Sequence, residues 1–419
     1  MERTLASECA GRAGEQVLLS GWLHHVRTLS KVSFLLLRDR SGIAQVVIED
    51  NGLRDDVARF LHETVITVTG TVVANPQAPG GHEVLARRVE VIATPSEEPP
   101  FELRRPELNA QLPTLLDHAA IALRHPRRRA VVQLAAAATQ GFRATLDALG
   151  FTEIFTPKVV ASATESGANV FPIDWFGRRA FLAQSPQFYK QTMVGVLERV
   201  YEVGPVFRAE PHDTVRHLAE YVSLDVEMGF IRDHRDVMAT LRDVLAGMIG
   251  AIETDIEVPA EIPAVTFDDA QRMIEADTGR NVVGEPDLAP ADERWLGDWA
   301  QREHRSDFLF VTGYPMVKRP FYTHPDPSNP AASNSFDLLF RGLELVTGGQ
   351  RLHRIEDYEA ALAGQDTAAF DGYLEAFRHG MPPHGGFAIG LERFVARVTG
   401  AANVREVTLF PRDLHRLTP

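Results

Sequence analysis

The chain has 419 residues, with 43 Lys and Arg against 57 Asp and Glu and a net charge of −14. That balance excludes a polybasic, histone-like protein but not a nucleic-acid partner met by a local basic patch. Hydrophobic residues at 44% and charged residues at 24% are ordinary for a globular chain of two or three domains, and the single cysteine, Cys9, excludes an intrachain disulfide framework and a cysteine-cluster metal site.

The opening Met-Glu-Arg-Thr has no apolar leader segment. No apolar run approaches the ~20 residues needed to cross a bilayer. A cytoplasmic protein without membrane contact is expected. Residues 1–100 read as a small β domain. Apolar runs of strand character recur at Val17–Val26, Ser33–Arg38, Ile43–Glu49, Thr64–Ala74 and Glu83–Ile92. Turn signals separate them at Asp39–Gly42, at Asn51-Gly52 and in the loop Asn75–Gly81. One helical stripe, Leu53, Val57 and Leu61, falls between the third and fourth runs. Five strands with that helix placement is the layout of an OB barrel, whose second and third strands and flanking loops bind oligonucleotides. The stretch 95–125 holds five prolines and sustains neither period, so a linker is expected, with a hinge over 101–125.

From Pro126 to the end at 419 the pattern changes to long helices among strands. Val131, Leu134, Ala138, Phe142, Leu146 and Leu149 recur at three- and four-residue steps, and Gly150 follows at a helix-stop position. Phe151–Pro157 is extended. Arg199–Phe207 and Tyr221–Phe230 read as strands around a loop, followed by a helix centred on His234–Met248; Gly342–Val346 and Phe387–Ile389 are further strands before a last helix, Leu391–Thr399. This is an α+β domain built on a mostly antiparallel sheet flanked by helices.

No G-x-x-x-x-G-K-[ST], G-x-G-x-x-G, H-E-x-x-H or G-x-S-x-G motif is present. A bound nucleotide would have to be held by cationic side chains and a metal instead of a glycine nest. Three stretches are dense in suitable groups. Phe207-Arg208-Ala209-Glu210 leads into Arg216-His217 and then Tyr221 and Asp225; Glu344 precedes Thr347-Gly348-Gly349-Gln350-Arg351; and His384-Gly385-Gly386 runs into Gly390-Leu391-Glu392-Arg393. An Arg fork matches a phosphate bidentately, and a carboxylate with a hydroxyl three residues on can share a hard cation. Each stretch alone also fits a plain alternative: a surface ion pair, an acidic strand ending in a Gly-Gly turn, or a strand–turn–helix junction.

In this order the three resemble the signature motifs of class II aminoacyl-tRNA synthetases, with 207–210 similar to motif 2, 390–393 to motif 3, and the helix leading into 151–157 to motif 1, the usual dimer element. Ser185-Pro186-Gln187-Phe188-Tyr189-Lys190-Gln191 and Thr347–Arg351, together with the amino-terminal barrel, resemble the short, archaeal-type aspartyl-tRNA synthetases. The resemblance implies ATP-dependent attachment of aspartate to tRNA by way of an adenylate, with ATP as substrate, Mg²⁺ as cofactor and a homodimer as the assembly.

Residue by residue, it implies that Arg208, Arg393 and Glu344 are catalytic. ATP would contact Arg208, Ala209, Glu210, Arg216, His217, Leu218, Tyr221, Glu344, Gly390, Leu391, Glu392 and Arg393, with Tyr221 on adenine. Aspartate would contact Glu165, Gln187, Lys190, Arg208, Asp225, Thr347 and Arg351. Lys190 and Arg351 would stand as two cations left uncompensated by asparagine. Glu344 and Thr347 match metal positions, the second usually Ser. In the barrel, Phe34 and Gln45 match positions that read the central anticodon base, and Arg27, Lys31 and Arg38 would form a basic strip. His24 and Pro79 stand where strictly tRNA(Asp)-specific relatives usually carry Trp and Lys. That pattern implies a non-discriminating enzyme charging both tRNA(Asp) and tRNA(Asn), the second product going to an amidotransferase. An ammonia-dependent asparagine synthetase lacks the barrel, and a catalytically dead RNA-binding paralogue would have lost one of Arg208, Glu344 and Arg393.

Overall fold

The computed structural model describes residues 1–161, 169–364, 367 and 370–418. The chain divides into two compact units, Met1–Arg129 and Ala130–Pro419.

The first unit is a closed barrel of β1 (Gln16–Thr28), β2 (Ser33–Arg38), β3 (Ile43–Ile48), β4 (Val65–Ala74) and β5 (His82–Ala93), in the order β1-β2-β3-β5-β4. The period-2 pattern of the sequence is the barrel's inside and outside: Val17, Leu19, Leu35, Leu37, Val46, Ile48, Ile66 and Val68 fill the core while their neighbours face out. Cys9 packs into the same core, fully buried, its thiol 3.6 Å from the Leu5 carbonyl. The helix between the third and fourth strands is Asn51–Val57, shorter than the Leu53–Leu61 stripe, and Asp50 caps it by accepting from the Leu53 amide. The proline-rich stretch contains two short helices, Leu112–Asp117 and Ala119–Ala122, which bury Leu115, Leu116, Ala119 and Ala122.

The second unit is built on an eight-stranded sheet. Its strand order is Ala264–Thr266, Phe308–Thr312, Ser335–Phe340, Glu344–Arg351, His384–Gly390, Glu220–Gly229, Arg199–Phe207 and Thr152–Glu153. The six inner strands are antiparallel to one another and the two short outer ones pair in parallel. The strand expected at Gly342–Val346 instead starts at Glu344 and continues through Gly348-Gly349 to Arg351. The glycines are not a turn. A β-carbon on Gly348 would overlap the Phe336 ring of the next strand, so glycine is needed for strands to lie together here.

The strand Glu220–Gly229 shows how the sheet sorts chemistry from packing. Val222, Leu224, Val226 and Met228 belong to the core under the helices Pro126–Ala148 and His234–Gly250, while Tyr221, Ser223, Asp225 and Glu227 alternate onto the other face. In the neighbouring strand Phe387 and Ile389 are core, and the alternate positions are Gly386, Ala388 and Gly390. One face is thus greasy and bulky, the other polar and floored by small residues.

The two covering helices meet backbone to backbone at Gly141 and Gly247. A β-carbon on Gly141 would strike the Gly247 carbonyl. Gly141→Ala gains about 0.5–1 kcal/mol of helix propensity but costs about 1–3 kcal/mol in overpacking. Urea unfolding should show a net loss of up to about 2.5 kcal/mol, with the midpoint lowered and the slope unchanged.

Candidate active site and the barrel face

The polar face of the second unit's sheet opens into a cavity of ≈ 290 Å³. Arg208, Glu210, Arg216, His217, Leu218, Tyr221, Glu344, Thr347, Gly390, Glu392 and Arg393 all line it, so the three sequence stretches meet in one place. His212, Ser223, Leu345, Ala388 and Val404 complete the wall. Of the residues expected at a nucleotide, Ala209 and Leu391 are not in the lining. The Ala209 amide bonds the Asn169 carbonyl, and Leu391 packs on the core.

Cations dominate one side. The Arg208 guanidinium lies over the Tyr221 ring, 5.8 Å from its centroid. Arg393 reaches the Glu344 carbonyl at 3.3 Å and its carboxylate at 3.9 Å. Arg216 is anchored by Glu293, 3.2 Å away and 5% exposed. Glu293 also accepts from the Glu344 amide at 2.9 Å, so one buried carboxylate sets both an arginine and the acidic strand. His217 is not a cation: burial, then Arg393 and neighbouring positive groups, lowers its pKa to about 4.

Glu344 and Thr347 are adjacent, the hydroxyl donating to Glu344 Oε1 at 3.3 Å. Asp337 lies opposite Thr347 in the strand register. Burial, with Glu344 nearby, raises the Asp337 pKa to about 6 despite Arg319 at 3.1 Å. Glu344 and Thr347 present oxygen donors only, which suits a hard divalent cation, and two protein donors leave room for water and phosphate, as Mg²⁺ prefers.

One row deeper on the same face, Thr347, Ala388 and Asp225 are register partners, and beyond them lies a buried ladder of charge. Lys190 Nζ is 3.1 Å from Asp225 Oδ1 and 3.2 Å from Glu227 Oε2. Arg351 Nε donates to Glu227 Oε1 at 3.1 Å and its Nη2 to the Gly386 carbonyl at 3.1 Å. Ser223 donates to Asp225 Oδ2 at 2.6 Å. A β-carbon on Gly386 would overlap the Glu227 carboxylate, so the ladder requires that glycine. Burial pushes the Glu227 pKa up, and Arg351 and Lys190 more than offset it, leaving a net lowering. The expectation of two cations waiting uncompensated is therefore corrected: Lys190 and Arg351 are matched by Asp225 and Glu227, because two bare charges could not be buried. Glu227 escaped notice in the sequence although the Asp225-Val-Glu227 alternation points it at the same face. Gln187 is a helical turn before Lys190 on the same buried side of Gln187–Leu197. Glu165 lies outside the described residues.

In the first unit, Arg27, Phe34, Leu36 and Gln45 share the outer face of β1–β3 by register, with Arg27 exposed and Phe34 half-buried. Gln45 donates to Glu83 at 3.0 Å. Pro79 stands in an exposed turn. Two expectations are corrected. His24 is the extra residue of a bulge between Leu23 and His25, and it is buried against Arg38; the bulge puts His25 in its place opposite Leu36. Arg38 is no part of a basic strip, since it is 3% exposed and paired with Glu63 through bonds of 2.8 and 2.6 Å.

Comparison with known proteins joins the two halves. Residues 111–414 match the family "tRNA synthetases class II (D, K and N)", and residues 17–92 match the "OB-fold nucleic acid binding domain". This chain is a class II tRNA synthetase. It is 48% identical to an aspartate–tRNA(Asp/Asn) ligase of Thermus thermophilus over the whole of both chains. It is 45% identical to one from Deinococcus radiodurans, over 100% of this chain and 99% of that one. Among solved structures, asparaginyl-tRNA synthetase from Pyrococcus horikoshii complexed with asparaginyl-adenylate superimposes with a TM-score of 0.93 at 31% identity, covering both chains completely. The synthetase uses ATP, an amino acid and tRNA as substrates, and no helix among its described residues is long and apolar enough to cross a membrane.

Glu392 gives the synthetase a pH signature. It is 9% exposed and accepts the Val222 amide at 3.1 and 3.2 Å. Burial outweighs those bonds and raises its pKa from 4.5 to about 7. The folded state then holds a proton that the unfolded chain has released, so this contribution is full below pH 4.5 and is lost as pH rises through 7. Urea unfolding of wild type and Glu392→Gln between pH 4.5 and 8 should show the variant gaining relative stability with rising pH, and a pH-independent difference would refute the assignment.

Proposed function

We propose that the synthetase joins L-aspartate to ATP as aspartyl-adenylate and passes the aspartyl group to tRNA(Asp) and tRNA(Asn). The observation that carries this reading is the buried ladder holding Lys190 and Arg351 one strand row from the nucleotide cavity. A carboxylate placed between them offers an acceptor oxygen to each. Asparagine offers one oxygen and one NH₂, so one donor always faces another donor. A missed hydrogen bond to a charged group disfavours the amide by roughly 10²–10³-fold. The discrimination lies in donor geometry and does not need spare positive charge.

Formation of the adenylate brings the aspartate carboxylate onto the α-phosphorus while pyrophosphate leaves. The two reactants are both anions, so positioning and cationic shielding supply most of the acceleration. Arg208 serves the α-phosphate, and its stacked Tyr221 takes the adenine face with Glu210 nearby. Arg393 and Arg216 serve the β,γ end, with His217 contributing a neutral N–H. Gln187 and Asp225 hold the substrate ammonium, as would Glu165. Glu344 and Thr347, with Asp337 behind them, would hold Mg²⁺, which neutralises phosphate charge when bound. In the second step a tRNA terminal hydroxyl attacks the aspartyl carbonyl and AMP departs.

The barrel reads the anticodon, Phe34 by stacking at about 1–3 kcal/mol per base and Gln45 by its amide, with Arg27 at the backbone. Pro79 has no side-chain donor and the His24 ring is buried against Arg38, so neither selects one pyrimidine at the third base. Acceptance of both tRNAs follows, and the aspartyl-tRNA(Asn) so made needs an amidotransferase downstream. Work in the cytoplasm as a homodimer completes the reading.

ATP–pyrophosphate exchange should proceed with aspartate and not with asparagine, and labelled aspartate should charge transcripts of both tRNA(Asp) and tRNA(Asn). Silence on tRNA(Asn) would reduce the enzyme to a tRNA(Asp)-specific one. Arg393→Ala should lower exchange kcat/KM for ATP by about 10²–10³-fold, with KM for aspartate changed far less. A comparable rise in both would remove Arg393 from its assigned place.

A further inference from the structure

Around Gln191, on the helix Gln187–Leu197, lies a buried polar network of which the steps above use Gln187 alone. Gln191 is completely buried. Its Nε2 is 2.9 Å from His384 Nε2 and 3.1 Å from the Tyr358 hydroxyl, and its Oε1 is 2.9 Å from Gln187 Nε2 and 3.0 Å from the Tyr373 hydroxyl. His384 Nδ1 lies 2.9 Å from the Pro382 carbonyl, and the Tyr358 hydroxyl donates to the Leu352 carbonyl at 3.0 Å.

The direction of the bonds at the Gln191 NH₂ follows from the ends of the network, while the Tyr373 hydroxyl has one proton to share between Gln191 Oε1 at 3.0 Å and the Tyr358 hydroxyl at 2.9 Å. A backbone carbonyl only accepts, so His384 carries its proton on Nδ1. Burial lowers the His384 pKa to about 4, and the ring is neutral with a bare Nε2. Tyr358 spends its single proton on Leu352. Both neighbours therefore accept from Gln191, and its NH₂ must face them. Its oxygen then faces Gln187, which must turn its own NH₂ inward and keep its carbonyl oxygen for whatever lies on the other side. A free glutamine side chain would choose either orientation at little cost.

We infer that Gln191, His384 and Tyr358 are positioning residues that fix the amide of Gln187 with its oxygen toward the substrate ammonium. This deepens the aspartate reading and rests on it. With the network intact the amino group of the substrate meets an acceptor; with it broken, Gln187 can present NH₂ to NH₃⁺, two donors in opposition. The effect belongs to the amino acid and leaves ATP alone, since none of these residues lines the nucleotide cavity.

Pyrophosphate exchange with the full-length enzyme tests this by titrating aspartate and ATP separately. Wild-type exchange with aspartate checks the underlying function; the variants check only the network. Gln191→Met, close in volume and without donors, should raise KM for aspartate about 10- to 100-fold and leave KM for ATP within about twofold. His384→Leu should do the same, and His384→Gln, which keeps an acceptor for Gln191, should recover most of the aspartate affinity. If Gln191→Met does not fold, the His384 pair carries the comparison. An unchanged aspartate KM overturns the inference, as do equal rises in both KM values or a His384→Gln no better than His384→Leu.

Discussion

The alternating ladder of Lys190, Asp225, Glu227 and Arg351 ties one helix and three strands of the catalytic unit together. Four charges at the bottom of a sheet face would each be costly alone. They are tolerated because each cation sits between carboxylates or carbonyls at 3.1–3.5 Å. That requirement dictates the strand register, since Asp225 and Glu227 must alternate onto the face that Lys190 approaches from its helix. It dictates the absence of a side chain at Gly386, whose place the Glu227 carboxylate takes. It also holds the site proposed for aspartate rigid before any substrate arrives, and a rigid site is where a small difference such as O⁻ against NH₂ can be read.

The same logic of partners held in advance recurs around the cavity. Glu293 holds Arg216 and the start of the Glu344 strand together. Tyr221 carries Arg208 on its ring. Arg393 lies across Glu344. These contacts hold the half-buried Arg216 and Arg393 in place on folding, so part of their conformational entropy is already lost before anything binds.

Much of this was legible in the sequence because it is local. Period-2 alternation located the barrel strands, and three short motifs located the cavity wall, since motif residues sit within one strand or one turn of each other. The failures share a cause. Glu293 acts from a helix 51 residues before Glu344, and the partners of Gln191 at 358, 373 and 384 come from three separate segments. Arg38 looked like a surface cation because its partner Glu63 is 25 residues away. His24 was named from resemblance alone, and the bulge that takes it out of the strand alternation leaves no mark in the sequence. Gly348-Gly349 looked like a turn because a glycine required by a crowding strand and one required by a bend are the same letter.

Burial of Cys9 inside the barrel has a practical corollary. It is the chain's one sulfhydryl, it has no solvent exposure, and burial raises its pKa. Alkylating reagents can reach it only when the amino-terminal unit opens. Labelling kinetics thus time the breathing of the barrel alone, with no interference from the rest of the polypeptide and without an engineered probe.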